Sequence, residues 1–303
     1  MFENINDLIE VAQKSRILRM AVAAAGDEVV LSSVKKADQE GIIQPILIGN
    51  EEKIHLALKK NNYNYKGRII PAISKQDSAI KTFELIANGE ADFPMKGLLN
   101  TKTILKVMLD KKYGLRQDRL LSFVSLICLE KDNRMVILTD GGMNIKPDLQ
   151  QKVEIINNAV EMAQVIGIET PKVAPLAAVE MVNPDMPATV DAALLSKMSD
   201  RGQIRGAIVD GPLAFDNAIS IDAAKHKGIK SNVAGKADIL LAPDIEAGNI
   251  LYKSLVIYSK MKSASIVSGA KIPMVITSRA DRADTKFNSI ALGKLVTLGL
   301  INK

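Results

Sequence analysis

An α/β protein rich in parallel strands is the fold class this sequence predicts, and three observations predict it. Short runs of Val, Ile and Leu alternate with longer stretches of helical periodicity along the chain. The apolar content is aliphatic: 47% of the 303 residues are hydrophobic, only 4% are aromatic, and tryptophan is absent. Such strands suit a sheet whose faces are covered by helices. Gly, Pro, Asp and Asn gather where a run of one kind hands over to the other. Repeated β–α units imply a parallel sheet with right-handed crossovers.

Taken in order, Arg19 to Ala25 reads as a buried strand ending at Gly26, and Asp27 is placed to cap a helix through Glu40. Gly41 stops that helix and Ile42 to Ile48 restarts a strand. Asn50 caps Glu51 to Lys60, with acids in the first turn and lysines in the last, as the helix dipole prefers. Shorter strands fit Arg68 to Ile73 and Ala91 to Met95, separated by a helix near Gln76 to Ala87. A helix over Thr103 to Lys112 leads to two apolar runs, Leu120 to Leu129 and Met135 to Thr139. Asp140-Gly141-Gly142 interrupts the pattern, and Pro147 starts a helix with apolar residues at helical spacing (Val153, Ile156, Val160, Ala163). Strands follow at Lys172 to Leu176, Ala207 to Asp210, Asp238 to Ala242 and Ser265 to Val267, and an apolar segment from Ile272 to Thr277 precedes a closing helix that ends near Leu300.

Composition excludes several classes. Cys128 is the single cysteine, set in an apolar run, so it reads as a buried core thiol and no internal disulfide can form. His55 and His226 are the only histidines, and no His/Cys/carboxylate cluster has metal-ligand spacing, so no metal is expected. No apolar run is long enough for a membrane helix and the amino terminus lacks a signal pattern; a cytoplasmic protein is expected. The formal net charge of +6 comes from basic residues interspersed with acids. Nucleic-acid binding would concentrate them, whereas a small polyanionic ligand makes use of a mild excess.

The run from Ser278 to Lys286 (Ser-Arg-Ala-Asp-Arg-Ala-Asp-Thr-Lys) brings a hydroxyl, guanidinium groups and carboxylates to a strand–helix junction. Open α/β sheets bind ligands outside the carboxyl ends of their strands, and a helix N-terminus there favours phosphate. Three more segments share that placement: Asp140-Gly141-Gly142-Met143-Asn144, Asp210-Gly211-Pro212-Leu213 with Asp216 or Asn217 as the next cap, and Asp244 to Lys253. In the last, Gly248 permits close approach, and Asn249 and Lys253 stand four apart on a helix face. Turn glycines and helix caps would explain each loop singly. Four of them at strand ends in one chain point to a ligand.

Asp210-Gly211-Pro212-Leu213, Val233-Ala234-Gly235-Lys236-Ala237, Pro243-Asp244, Ala247-Gly248-Asn249, Tyr252-Lys253 and Ser278-Arg279 together resemble the phosphate acetyl/butyryltransferase family, most closely its butyryl branch. The likeness is densest from about Thr139 to Leu300. It implies two α/β domains, 1–138 with 270–303 and 139–269, in an arrangement like that of isocitrate and isopropylmalate dehydrogenases, with the active site in the interdomain cleft. It also implies a homodimer or larger homo-oligomer. The implied reaction is acyl-CoA plus phosphate giving acyl phosphate plus CoA, by direct transfer of butyryl or a similar short acyl group in a ternary complex. Coenzyme A and phosphate are substrates, and no metal or permanent cofactor is implied.

The same resemblance implies the site. Ser278 and Arg279 match the family's Ser-Arg pair, Ser278 as hydrogen-bond donor and Arg279 as phosphate clamp. The acetyl branch has a base aspartate seven residues past that serine, where this chain has Thr285; Asp284 and Asp281 are the alternatives for the role. Asp210, Gly211, Pro212, Asp244, Gly248, Asn249 and Lys253 would bind substrate. Lys106 stands where the acetyl branch has an arginine, and a lysine lacks the bidentate fork. The chemistry needs little more: a thiol of pKa about 8.5 gains from a carboxylate base and a nearby cation. Acetyl transfer is the neighbouring alternative. A metal- and NAD-dependent dehydrogenase would need the absent Gly-x-Gly-x-x-Gly loop. A non-catalytic CoA-binding protein would not need Ser278 and Arg279 together.

Overall fold

The computed structural model describes residues 2–129, 133–278 and 280–301. They fall into two compact units, one of Ile5–Arg119 with Ser263–Lys303 and one of Met1–Asn4 with Leu120–Lys262.

The first unit contains α1 (Ile5–Lys14), β1 (Leu18–Ala23), α2 (Glu28–Gln39), β2 (Ile43–Gly49), α3 (Glu51–Lys60), β3 (Ile69–Pro71), α4 (Lys75–Ala87), β4 (Phe93–Lys96) and α5 (Thr101–Met108). The returning chain adds β10 (Ser263–Ser268) and α11 (Ala283–Ile301). The four strands from β1 to β4 pair in parallel in the order β3-β2-β1-β4. Their helices start where the sequence predicts. Asp27, Asn50 and Ser74 each accept a backbone N–H of the following turn, satisfying donors that helix starts leave orphaned. The side chains of α11 from Thr285 to Val296 are buried, as expected of a helix apolar around much of its circumference. It packs against α2, α1 and β10.

The second unit contains β5 (Ser122–Leu129), β6 (Arg134–Thr139), α6 (Leu149–Val165), β7 (Lys172–Pro175), α7 (Pro187–Asp200), β8 (Ile208–Val209), α8 (Phe215–Ile219), α9 (Ile221–His226), β9 (Ile239–Leu241) and α10 (Ile245–Tyr252). Its sheet runs β5-β6-β9-β7-β8. Ile127, Val136, Leu138, Leu240 and Tyr252 are among its core residues, and Cys128 is buried.

Four expectations change. β5 and β6 pair antiparallel, because the few residues joining them cannot make the long crossover a parallel pair needs. The helix expected over Thr103 to Lys112 runs from Thr101 to Met108 and is followed by a separate 3₁₀ turn, Lys111–Tyr113, capped by Asp110. The segment from Ile272 to Thr277 bridges as strand only at Met274 and Val275. Asp216 and Asn217 cap nothing: α8 begins at Phe215, so both lie inside it, and Asn217 bonds Glu180.

Candidate active site

In the first unit the chain runs outward from β1 to β2 and β3, then returns to place β4 on the other side of β1. The strand order therefore reverses between β1 and β4. A crevice opens outside the carboxyl ends of parallel strands at such a reversal. Two loops form it, Ala24–Asp27 after β1 and Gly97–Asn100 after β4. The Gly97 and Leu98 N–H groups donate to the Ala23 and Ala24 carbonyls at 2.8 and 3.0 Å. A Cβ on Gly97 would lie 2.5 Å from both of those oxygens, so only glycine lets the loops approach this closely.

Ser278 reaches the same crevice by a backbone route. The Lys96 N–H donates to the Val275 carbonyl at 2.9 Å, and the Val275 N–H to the Pro94 carbonyl at 3.0 Å. This pairing is parallel, at Met95 and Val275, so the chain beyond Val275 emerges on the side where β4 ends. The result is a cavity of about 170 Å³ lined by Lys96, Gly97, Thr277, Ser278, Lys286 and Asp27, with Val29, Val30 and Leu98.

Its charges are buried, which is costly unless they are paired or hydrogen-bonded. Lys286 is 3% exposed. Its Nζ donates to the Ser278 carbonyl at 2.7 Å and the Thr277 hydroxyl oxygen at 3.3 Å. Burial pulls its pKa down, against the attraction of Asp281 and Asp27. Lys96 Nζ donates to the Gly97 and Leu99 carbonyls. Asp281 is 3% exposed, and its Oδ2 accepts the Ser278 N–H at 2.6 Å. Its Oδ1 has no hydrogen-bond partner among the described residues. Burial pushes the Asp281 pKa up, opposed by the Ser278 N–H and by the charges of Lys286 and Lys96. A hydroxyl and two ammonium groups thus line one small space, and a carboxylate of raised proton affinity is bonded to the backbone of the same serine. That set can hold an anion and move a proton.

The other predicted residues lie as follows. Arg279 lies outside the described residues. Asp284 is exposed in the first turn of α11, 3.8 Å from Lys36 of α2. The helix expected to open at Ser278 begins at Ala283, because the Asp281 carboxylate turns back to Ser278 rather than capping α11. Lys106 is exposed in the last turn of α5.

Asp210, Gly211, Pro212, Asp244, Gly248, Asn249 and Lys253 belong to the second unit. Asp210 accepts from the Ser196 hydroxyl at 3.3 Å and borders a polar hollow with Lys230, Ser231 and Asn232. A Cβ on Gly211 would meet the Pro175 carbonyl at 3.1 Å, and the Gly211–Pro212 bond is cis. Asp244 caps α10, its Oδ1 accepting from Ala247 at 2.9 Å. Gly248 packs backbone to backbone on the Asp140-Gly141 turn: an added Cβ would lie 2.6 Å from the Asp140 carbonyl. Asn249 Nδ2 donates to the Gly141 carbonyl at 3.0 Å, locking the two loops together. Asp140, whose pKa burial raises, organises that turn by accepting from Gly142, Met143 and Asn144. Lys253 is exposed where α10 passes into a π-helical turn, Lys253–Tyr258.

Sequence reasoning missed Lys96 and gave Lys286 no role. Each carried a signal: a lysine ending the apolar run Phe93-Pro94-Met95, and a lysine inside the buried stretch of the last helix. Among the described residues, no three His, Cys, Asp or Glu side chains gather as metal ligands, and no helix is long and apolar enough to cross a membrane.

Known proteins share this plan. The family profile described as "Phosphate acetyl/butaryl transferase" matches residues 66–293. A phosphate butyryltransferase of Clostridium acetobutylicum is 47% identical over 98% of this chain and 99% of its own. A phosphate acetyltransferase of Thermotoga maritima is 48% identical over 95% and 98%. Among solved structures, a branched-chain phosphotransacylase from Enterococcus faecalis V583 superposes with a TM-score of 0.80 at 32% identity, covering 92% of this chain and 99% of that one. With the family's profile matched over most of the sequence and its curated members aligned nearly end to end, the chain belongs to the phosphate acetyl/butyryl transferase family.

Proposed function

We infer that this chain is an acyltransferase that moves a short acyl group between CoA and inorganic phosphate. A phosphate oxygen forms a bond to the thioester carbonyl carbon, the carbon–sulfur bond breaks, and CoA leaves as a thiolate that takes a proton. In the reverse direction the thiol gives that proton up. The observation that carries this reading is the cavity lined by Ser278, Lys96 and Lys286, with the buried Asp281 carboxylate bonded to the Ser278 N–H.

Each group has a part. The ammonium groups of Lys96 and Lys286 offset the charge of phosphate and of the thiolate, while Ser278 donates to the phosphate or the thioester oxygen. Arg279 adds the planar fork that holds a phosphate bidentately. Asp281 takes the thiol proton. Its raised pKa brings it nearer the working pH, where general bases act best, an effect worth about 10²–10⁴-fold. Asp284, exposed beside Lys36, is left out of the chemistry. The Asp210-Gly211-Pro212 and Asp244–Lys253 loops, with Lys106, contribute to binding CoA and the acyl group. Transfer is direct, within a ternary complex, in a homodimer or larger assembly whose mass light scattering would give.

Butyryl is the first choice of acyl group. Acetyl is the second reading, since identity to the acetyltransferase is as high as to the butyryltransferase. Purified protein mixed with butyryl-CoA should release thiol only when phosphate is present, with acyl phosphate trapped by hydroxylamine. Thiol release without phosphate would mean plain hydrolysis, and none at all would mean binding only. Acetyl-, propionyl- and butyryl-CoA run in parallel rank the chain lengths.

A further inference from the structure

We propose that Asp27 makes the Ser278 cavity select an oxyanion that carries a proton, so that phosphate is admitted and sulfate is rejected. This rests on the acyl-transfer reading above, which puts phosphate in that cavity, and adds the residue that decides which anion is accepted.

Cations alone cannot make that choice. Lys96 and Lys286 line the cavity, and ammonium groups attract any small oxyanion of the same charge. Sulfate and the phosphate dianion match in charge and nearly in size. They differ in one respect: near neutral pH phosphate keeps a proton on at least one oxygen, and sulfate keeps none. Telling them apart takes an acceptor that the phosphate hydroxyl can use and that sulfate must meet with a bare oxygen.

Asp27 is the one acid among the described residues that line the cavity. Other acceptors there already face ammonium groups: Lys286 Nζ donates to the Ser278 carbonyl and the Thr277 hydroxyl oxygen, and Lys96 Nζ to the Gly97 and Leu99 carbonyls. Asp27 is also held still. Its N–H donates to the Ala25 carbonyl at 2.9 Å, and its own carbonyl accepts the Leu31 N–H at 2.9 Å. Its Oδ1 accepts the Val30 N–H at 2.9 Å, which is the capping bond of α2. Capping accounts for Oδ1 and not for Oδ2, which has no hydrogen-bond or ion-pair partner among the described residues. The residue is half-buried, and its charge acts on the Lys286 ammonium. The cap thus fixes one oxygen and leaves the other as a charged acceptor at the cavity wall. A phosphate hydroxyl donating there makes a charge-assisted bond, whereas sulfate sets oxygen against oxygen and leaves the carboxylate unpaired. A site built around such a bond rejects the analogue that lacks the hydroxyl.

The test is Asp27→Asn, with anion binding read by calorimetry in the absence of acyl-CoA. Asparagine caps a helix as well as aspartate does, and with its oxygen on the Val30 N–H it turns the second acceptor into a donor. Wild type should bind phosphate about tenfold or more tightly than sulfate, as one charge-assisted bond gives. Arsenate is larger than either anion but keeps a proton, so it should side with phosphate. In the variant, phosphate should weaken and sulfate tighten until the preference is lost, with the melting temperature unchanged. Should the variant melt well below wild type, Asp27→Ser supplies the reading, since serine also caps and brings no charge. No binding of either anion by wild type, equal binding of phosphate and sulfate, arsenate siding with sulfate, or a preference that survives the substitution would each overturn the proposal. Turnover is a separate readout. An inactive wild type that still prefers phosphate sinks the acyl-transfer reading alone, and an active one that binds sulfate as well as phosphate sinks the discrimination alone.

Discussion

The Asp281 carboxylate accepts the backbone N–H of Ser278 at 2.6 Å, so the candidate base and the candidate hydroxyl donor are held by one bond. The loop closes on itself, and Lys286 fixes its other side by donating to the Ser278 carbonyl at 2.7 Å. Acid and cation are therefore both anchored on the backbone of the residue that carries the hydroxyl.

Asp281 and Asp284 should separate cleanly in mutants. Asp281→Asn keeps an acceptor for the Ser278 N–H but cannot take a proton, so kcat should fall by about 10²–10⁴-fold with the melting temperature little changed. Asp284→Asn removes only an exposed pair with Lys36 and should turn over at near the wild-type rate. Steady-state thiol release from both variants decides the assignment, and the reverse pattern would hand the role to Asp284.

The pH profile follows from the direction of the Asp281 shift. Burial raises this carboxyl above the usual aspartate range, and activity in the direction acyl phosphate plus CoA, where it takes the thiol proton, needs it ionised. Activity should therefore be complete above the raised pKa and fall away as pH drops through it, at a higher pH than an ordinary aspartate would give. In Asp281→Asn, kcat/KM should lose that acidic limb. A limb that survives the substitution belongs to another group.

How much of this was legible in the sequence depends on what each feature rests upon. Asn50 followed by two glutamates, with two lysines at the far end, is a local statement, and α3 matches it to the residue. Ser278 could likewise be singled out from a local run. The company it keeps could not. Lys96 meets Ser278 because Val275 pairs with the edge of β4, a contact between segments far apart in the chain. The glycines at 141 and 248 illustrate the opposite error. A single chain position shows that a backbone must come close to something. Here that something is the other loop of the same unit, 2.9 Å from the missing Cβ of Gly141.

Lys286→Met should damage the site twice. It removes a cation from the cavity and takes away one of the two positive charges that act on Asp281, so KM for phosphate should rise about tenfold or more while KM for the acyl-CoA moves less. Initial rates over a phosphate series would show it. A KM for phosphate that stays at the wild-type value would remove Lys286 from anion binding.

Gly97→Ala tests the packing beneath the site. The new methyl would sit 2.5 Å from the carbonyl oxygens of Ala23 and Ala24, which are backbone atoms at the end of a central strand. Neither can swing away as a flexible side chain would. Overpacking of this kind costs about 1–3 kcal/mol. Thermal unfolding should drop by several degrees, and activity should fall with it because Lys96 is the preceding residue.

Lys294 gives a stability signature unconnected with the chemistry. It is fully buried in α11, with its Nζ donating to the Ala12 carbonyl at 2.6 Å and the Ser15 carbonyl at 3.2 Å, at the end of α1. Burial lowers its pKa to about 8, against 10.5 for the free side chain, although the carbonyls favour the charged form. The folded state thus holds this proton less tightly than the unfolded chain. Below pH 8 both states are protonated and the full cost of the buried charge is present. Between about 8 and 10.5 the unfolded chain binds more protons, so stability gains with rising pH, by roughly 3 kcal/mol from this group. Denaturant unfolding of wild type and Lys294→Met across pH 7 to 10.5 isolates the contribution as a difference. That difference should shift in favour of wild type as pH rises, and a flat one would show that the ammonium is not destabilised in the fold.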